Sequence, residues 1–350
     1  GFTPGEADQL RRAMGAWRRP GLIDNFRKKL IEGMLARGHS QDFADRLFEQ
    51  IRGFGEYGFP ESHAASFAIL SYVSAWLKHH HPAAFTVALL NSQPMGFYAP
   101  AQLIRDVQNH GVEILPIDVN HSDWDCTLEP TPTDNSGSPR LDLRLGMRLV
   151  QGLRHTAAQT LVRARQVGRF RSMAELTTRS GLGQTTMQRL AAADAFASLD
   201  LDRRSALWQA LDQTQKPQDQ PLLASLTSED SPTPRLPRLT EQEEVFADYR
   251  AAGLSLRQHP LAFCREKLSS LGVVTADQLV VAPANRCISV AGLVLMRQRP
   301  STAKGITFVT LEDETGTANL VVRQKIWDRF DQIARRASAM IAHGKLERKN

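Results

Sequence analysis

Apolar residues recur at helical spacing through the first 90 positions of the chain. In FTPGEADQLRRAMG, Thr3 reads as an N-cap, Pro4 as the first helical residue and Glu6 as the closing member of a capping box. Gly15 supplies the stop. Phe26, Leu30 and Met34 fall four apart and predict a second helix over 22–37, ended by Gly38. Ser40 caps a third, in which Phe43, Leu47, Phe48 and Ile51 share one face. GFGEYGF then reads as a turn. The longest helix follows from Ser62, with Phe67, Leu70, Val73, Trp76 and Leu77 recurring at three and four. Pro82 interrupts it, and AAFTVALLN resumes as a mostly buried helix.

The pattern changes beyond residue 90. A helix precedes the strand-like VEILPIDVN, TPTDNSGSP is a loop, and LDLRLGMRLV alternates as a strand does. Two helical units cover 150–166 and 172–197, each holding a tight glycine turn, VQGLRH and RSGLGQTT. Residues 212–239 are rich in Gln, Pro and Ser and read as a linker. Helices return at 240–250 and 259–270. From 286 onward, strand, hairpin, strand, turn, strand, helix and strand follow in the order of an OB-fold through its fourth strand. The fold class expected is multidomain and mainly α, with a small, incomplete β-barrel at the end. The divisions expected are a helical region (1–90), tandem helix-hairpin-helix units (91–210), a linker (211–240), a helical connector (241–285) and a truncated OB-fold (286–350).

Composition narrows the class of partner. Over 350 residues, 42% hydrophobic and 23% charged content suffice for globular cores. The net charge of +6 favours an acidic partner such as nucleic acid, although a solvated basic surface gives the same number. Cys126, Cys264 and Cys287 are far apart and form no C-x-x-C, which fits a reducing cytosol and a cytoplasmic location. No signal peptide and no long uncharged apolar run is present, so no membrane partner is expected. The start at Gly1 and the end at HGKLERKN both read as boundaries inside a longer protein.

Candidate chemistry lies mostly in cations. His79, His80 and His81 point about 100° apart on a helix and cannot converge on one metal; at a helix C-terminus they suit the macrodipole. His63 lies in the first turn of the same helix, facing either a substrate or its own neighbours. Two D-x-D patterns, Asp123/Asp125 and Asp200/Asp202, lack a third acidic partner on a convincing strand, so neither makes a two-metal centre. No Walker A loop, G-x-S-x-G or H-E-x-x-H occurs. Neither a catalytic residue nor a metal ligand is therefore assigned. Arg11 and Arg12 can clamp a triphosphate, as can Arg18 and Arg19, but a solvated basic face has the same sequence.

The turns at Gly152 and at Gly181 and Gly183, with Arg154, Arg163 and Arg165 nearby, suit backbone N–H groups that hold a DNA phosphate. Any αα-hairpin can use glycine; two in succession strengthen the case. The first barrel loop, VLMRQRPSTAKG, is basic through Arg297, Arg299 and Lys304 and suits single-stranded DNA. A barrel used for protein contact stands beside that reading.

FTPGEADQLRRAMG, YGFPESHAASFAILSYVSAWLKHHHP and LPIDVNHS resemble the fingers region of bacterial C-family DNA polymerases, of the DNA polymerase III alpha type. The glycine turns and ISVAGLVLMRQRP…GITFVTLEDETGTANLVV continue the resemblance in the family's order, over nearly the whole chain. GFPESHAASFA and SLRQHPLAFCREKLSSLGV most resemble the error-prone alpha-subunit homologue; the replicative subunit remains an alternative. The resemblance implies a C-terminal fragment of a DNA-directed DNA polymerase for translesion synthesis in the DNA-damage response. It also implies that the catalytic palm, with its aspartates and Mg²⁺, lies upstream of Gly1, so the fragment alone is inactive. Residues 1–90 would be fingers, with Arg11 and Arg12 on the incoming dNTP and His63 and Lys78 in the matching segment. The partners implied are template-primer DNA, single-stranded template, dNTP, the sliding clamp and accessory mutagenesis proteins. QDQPLLASL is a weak clamp-peptide candidate inside the linker. A non-catalytic DNA-binding or clamp-interacting module is the rival reading.

Overall fold

The computed structural model describes residues 1–15, 23–57, 61–94, 96, 99–131, 141–212, 236–300 and 305–348. The chain divides into two compact units, Gly1–His80 and His81–Asn350.

The first unit is helical. Helix α1 (Pro4–Gly15) starts at the expected capping box. The Thr3 N–H donates to Glu6 Oε2 (2.9 Å), and the Glu6 N–H donates back to Thr3 Oγ1 (3.4 Å). The Lys29 ammonium also reaches Glu6 and is the largest influence holding that carboxyl down at about 2. Helices α2 (Arg27–Leu35) and α3 (Gln41–Tyr57) pack with α1 around Ile23, Leu30 and Phe48. Phe43, expected on the buried face, is 45% exposed; Phe48 faces inward as expected, and Ala44 joins it. The turn expected over GFGEYGF is also displaced. Helix α3 runs through Gly53 and Gly55 to Tyr57, at a cost of about 1 kcal/mol per glycine. Helix α4 (Glu61–His80) is apolar on several sides, and Ile69, Leu70, Tyr72 and Val73 are all exposed.

The second unit opens with α5 (Pro82–Asn91) and α6 (Pro100–Asn109), both with proline in the first turn. A small sheet follows, in the order β1 (Ile114–Leu115), β3 (Leu141–Arg144), β2 (Thr127–Pro130). Sequence pattern missed β2, whose four residues pair antiparallel with β3. Helices α7 (His155–Arg165), α8 (Met173–Ser180), α9 (Gln184–Ala192) and α10 (Arg203–Asp212) form the hairpin region. One core joins these elements and includes Leu90, Ile104, Leu143, Leu161, Leu176 and Leu190.

The stretch expected as a connector is shared between two cores. Helix α11 (Glu241–Ala252) lies on the hairpin region, and Leu254 sits in that region's core. The Arg203 side chain is 1% exposed and reaches Asp248, Glu244 (3.3 Å) and Asp194 (3.9 Å). Beyond it, Leu268 of α12 (Arg265–Ser270) and Val273 of β4 (Val273–Val274) pack on Ala291 of the barrel. Helix α13 (Ala276–Val281) leads into the barrel strands β5 (Cys287–Gln298), β6 (Thr307–Glu312), β7 (Thr317–Val322) and β8 (Ala339–Lys345).

Strand β5 pairs with β6 and β8, and β6 with β7, in a curled half-barrel. Among the described residues, β7 pairs only with β6 and β8 only with β5, so the side where a fifth OB strand would close is open. Val290, Val309, Leu311 and Ala318 line the inner face with Trp327 of α14 (Gln324–Arg329). Helix α15 (Asp331–Arg336) returns the chain to β8. The linker segment 213–235, with QDQPLLASL inside it, lies outside the described residues. No helix among the described residues is long and apolar enough to cross a membrane.

Candidate nucleic-acid interface

Both glycine turns end on exposed helix N-termini of the same design. Gly152 has φ +73° and Gly181 φ +63°, left-handed values that glycine adopts without strain. Arg154 and Gly183 are the extended N-caps of α7 and α9. In the first turn, Leu153 N–H is taken by Val150 and Ala157 N–H by Arg154, so the N–H groups of Arg154, His155 and Thr156 between them stay open. The second turn repeats this: Leu182 N–H goes to Ser180 Oγ and Thr186 N–H to Gly183, with Gly183, Gln184 and Thr185 open between. Each helix thus offers three donors together with the positive end of its dipole, a geometry suited to an anion.

The turns are held by long-range polar contacts. Arg189 of α9 donates to the carbonyl of Gly152, tying the second hairpin to the first turn. His155 packs against Trp124 in a tilted arrangement, ring centroids 4.8 Å apart. The motif that carried part of the family resemblance, LPIDVNHS, clamps the second hairpin at both ends. The Asn120 side chain donates to the Phe170 carbonyl (2.9 Å) and accepts from the Phe170 N–H (2.8 Å). Asp118 accepts from the Ser198 N–H (3.0 Å), and the Val119 N–H reaches the Ala195 carbonyl (2.9 Å). Arg179 fixes the α7–α8 join by donating to Ala164 and Gly168 and stacking over Phe170, with its carbon 4.6 Å from the ring centre. Glu175 closes that corner; its carboxyl is held low by the Arg171 N–H first and by Arg179 second.

The charges around the turns fall into two sets. Arg154, Arg163, Arg169 and Arg171 are exposed, and none makes a side-chain hydrogen bond or ion pair among the described residues; Arg171 does lie in the field of the Glu175 carboxylate. Arg165, named with the first two from sequence, is taken by structure: it donates to the carbonyls of Val119 (3.2 Å) and Ser122 (2.8 Å) and to Asp123 (2.6 Å). Asp125 pairs with Arg148 at 2.7 Å, so both carboxylates of the first D-x-D are turned to arginines. In the second, Asp202 caps α10 through the Ser205 N–H (2.9 Å) and Asp200 ends a 3₁₀ turn. The described residues hold no group of three or more His, Cys, Asp or Glu able to bind a metal.

The outer face of the barrel sheet carries Phe308 and Val321, paired across β6 and β7, and Ile341 on β8, all exposed. Thr310 with Asn319 and Ser289 with His343 continue the same face, each pair 2.9 Å apart. Of the three loop cations, Arg299 is exposed. The Arg297 guanidinium is folded back onto the carbonyls of Ala334 (2.6 Å) and Ala337, where it caps the end of α15. Lys304 lies outside the described residues.

In the first unit, Asp8 gathers both expected triphosphate ligands. Its two oxygens hold Arg11 and Arg12 at 2.8 Å each, with both guanidiniums 74% exposed. His63 packs against Phe67, ring centroids 4.5 Å apart. Lys78 is 15 residues further along α4, roughly 22 Å away at helical rise, so the two cannot meet one phosphate group. Arg18 and Arg19 lie outside the described residues.

Among the described residues, two open helix N-termini on tandem hairpins and an exposed strand-built barrel face form surfaces of the kind that suits a phosphate backbone. Residues 111–206 match the helix-hairpin-helix motif family. The whole chain is 54% identical to an error-prone DNA polymerase of Rhodopirellula baltica, covering 30% of that protein. It is 53% identical over 96% of its length to one from Methylococcus capsulatus and 47% identical over 99% to error-prone DNA polymerase 1 of Rhizobium meliloti, covering 33% of each. Along its full length the chain belongs with the C-family error-prone DNA polymerases, and it spans about a third of the length of these curated relatives.

Proposed function

We propose that this chain is the DNA-gripping part of an error-prone DNA polymerase acting in translesion synthesis during the DNA-damage response in the cytoplasm. The observation that carries the reading is the repeated set of three N–H donors at the N-termini of α7 and α9 left open among the described residues, flanked by exposed arginines. Such donors hold phosphate oxygens without reading bases, which suits a template-primer of any sequence. Arg154, Arg163 and the turns at Gly152, Gly181 and Gly183 take the duplex. Phe308, with Arg299 beyond the end of β5, takes the single-stranded template by stacking and charge, and Lys304 is assigned to the same partner from sequence. The Arg11–Arg12 pair on Asp8 takes the dNTP triphosphate, with Lys78 or His63 near one end of the nucleotide. Photocrosslinking of an azido-dNTP that survived loss of both arginines would remove that assignment.

The bond-making carboxylates and their Mg²⁺ belong to residues outside this chain in this reading. The sliding clamp and accessory mutagenesis proteins are partners of the whole polymerase. The names of the relatives favour the error-prone type over the replicative subunit. A DNA-binding or clamp-interacting module without catalysis shares the same gripping surfaces, and the sequence similarity to polymerases favours the first reading. Fluorescence anisotropy with a labelled primer–template tests it. Binding is expected at 50 mM salt, as an order-of-magnitude choice of condition, with steep loss as salt rises. No binding to duplex DNA would overturn the proposal.

A further inference from the structure

The turn between β6 and β7, EDETG, does not face water as an acidic loop would. Glu312 and Asp313 are buried. Asp313 is the hub. Its Oδ1 accepts from the N–H groups of Thr315 (2.8 Å) and Gly316 (2.9 Å), and its Oδ2 from the Ala276 N–H at the start of α13 (2.7 Å). Arg265 of α12 adds a pair to Asp313 (3.4 Å) and one to Glu314. The turn is thereby rigid before anything outside the barrel reaches it.

What reaches it is Arg105, from α6 of the hairpin region. Its guanidinium donates to Glu312 Oε1 (2.9 Å) and to the Asp313 carbonyl (2.8 Å), across more than 200 residues of chain. The neighbouring Ile104 is buried in the hairpin core, so Arg105 is anchored at its base. Around it lies a cavity of about 180 Å³ lined by Gln108, Tyr249, Ser255, His259, Glu312 and Glu314 among others. The seam at this point is polar and incompletely filled, and the charged contacts of Arg105 cross it. Glu312 is only 10% exposed, which shields the pair from salt.

We propose that Arg105 and the Glu312–Gly316 turn form a latch that fixes the β-barrel at one spacing from the hairpins, making Arg105 a positioning residue for a primer–template junction. This rests on the reading that the hairpins hold duplex and the barrel holds single strand. With both surfaces fixed, a junction engages the second surface at high effective concentration; with the latch open, that advantage falls away.

The test uses the 350-residue chain with Cys264 and Cys287 replaced by serine and spin labels at Gln159→Cys and Lys325→Cys, both exposed positions. Double electron–electron resonance should give one narrow distance, broadened by Arg105→Ala and, more gently, by Glu312→Gln. The charge exchange Arg105→Glu with Glu312→Arg should narrow it again. Affinity for a primer–template junction should fall about tenfold in Arg105→Ala, while affinities for blunt duplex and for oligo-dT stay as they were. An unbroadened distance in both single variants overturns the latch. A broadened distance with unchanged junction affinity overturns the positioning role. The distance measurement needs no DNA, so it decides the latch even if the chain proves not to bind DNA.

Discussion

Removing Arg154 and Arg163 should change how the chain responds to salt by a predictable amount. Four exposed arginines that make no side-chain hydrogen bond or ion pair among the described residues surround the hairpin turns: Arg154, Arg163, Arg169 and Arg171. If each neutralises one phosphate of B-form DNA, log K should fall with log salt at a slope of about −3.6, or −0.9 per contact. Between 50 and 200 mM salt that is a loss of roughly 10²-fold. Arg154→Ala with Arg163→Ala leaves two contacts, a slope of about −1.8 and a loss of roughly tenfold over the same range. The open N–H groups of α7 and α9 remain in the variant. They carry no formal charge, so binding should persist at low salt with a flatter response. The measurement is anisotropy of a labelled duplex titrated at four or more salt concentrations, with far-UV circular dichroism to confirm the fold. The two arginines sit on exposed surface, so substitution should leave stability nearly untouched. A variant slope equal to that of the parent would show that these arginines do not meet phosphate. A parent slope flatter than about −1 would refute the counting as a whole.

Three further outcomes follow from the same structure. Asn120→Leu leaves the Phe170 N–H and carbonyl without their partners; at about 1–3 kcal/mol for each buried group the loss should be roughly 2–6 kcal/mol, read as a lower melting temperature by calorimetry. An unchanged melting temperature would mean the clamp is dispensable. His259 is held neutral by burial first and by Arg105 second, its pKa lowered from 6.5 to about 4, with Glu314, Asp313 and Arg265 also facing it. Its contribution is therefore complete above pH 6.5 and lost as pH falls toward 4. Allowing for partial exposure, roughly 1–2 kcal/mol of stability should disappear in that window. His259→Gln should flatten the pH profile of chemical denaturation, and an equally steep profile in the variant would sink the assignment. Finally, the purified chain should extend no primer with Mg²⁺ or Mn²⁺; extension that persists through repurification would place a polymerase centre within it.

The features legible in the sequence are those whose partners lie close along the chain. Thr3 and Glu6 are three apart, and their mutual bonds follow from spacing alone. Gly152 and Gly181 announce left-handed turns by residue type. The failures are of two kinds. Gly53 and Gly55 have the residue type of a turn but sit in a helix that overrides it, and β2 lacks enough residues to show a period. The other misses are long-range: Asn120 to Phe170, Arg189 to Gly152, Arg203 to Asp248, Arg105 to Glu312. Each is a polar residue whose type is plain and whose partner no local pattern reveals.

That distinction decides how a basic stretch is read. Arg163 and Arg165 stand two residues apart in VRARQ, and successive helical positions turn by about 100°, so they point some 200° apart around α7. One faces water. The other meets the carbonyls of Val119 and Ser122 and the carboxylate of Asp123, and it holds down the same loop whose Asp118 and Asn120 brace the second hairpin. Arg297 and Arg299 repeat the split across a strand end, the first spent on the carbonyls closing α15 and the second exposed. In each pair the cation turned inward keeps the turn or loop in shape, which leaves the cation turned outward at a fixed place on the surface. A count of lysines and arginines therefore overstates the charge available to DNA. The salt slope measures only the outward set, which is why it tests the geometry and not merely the composition.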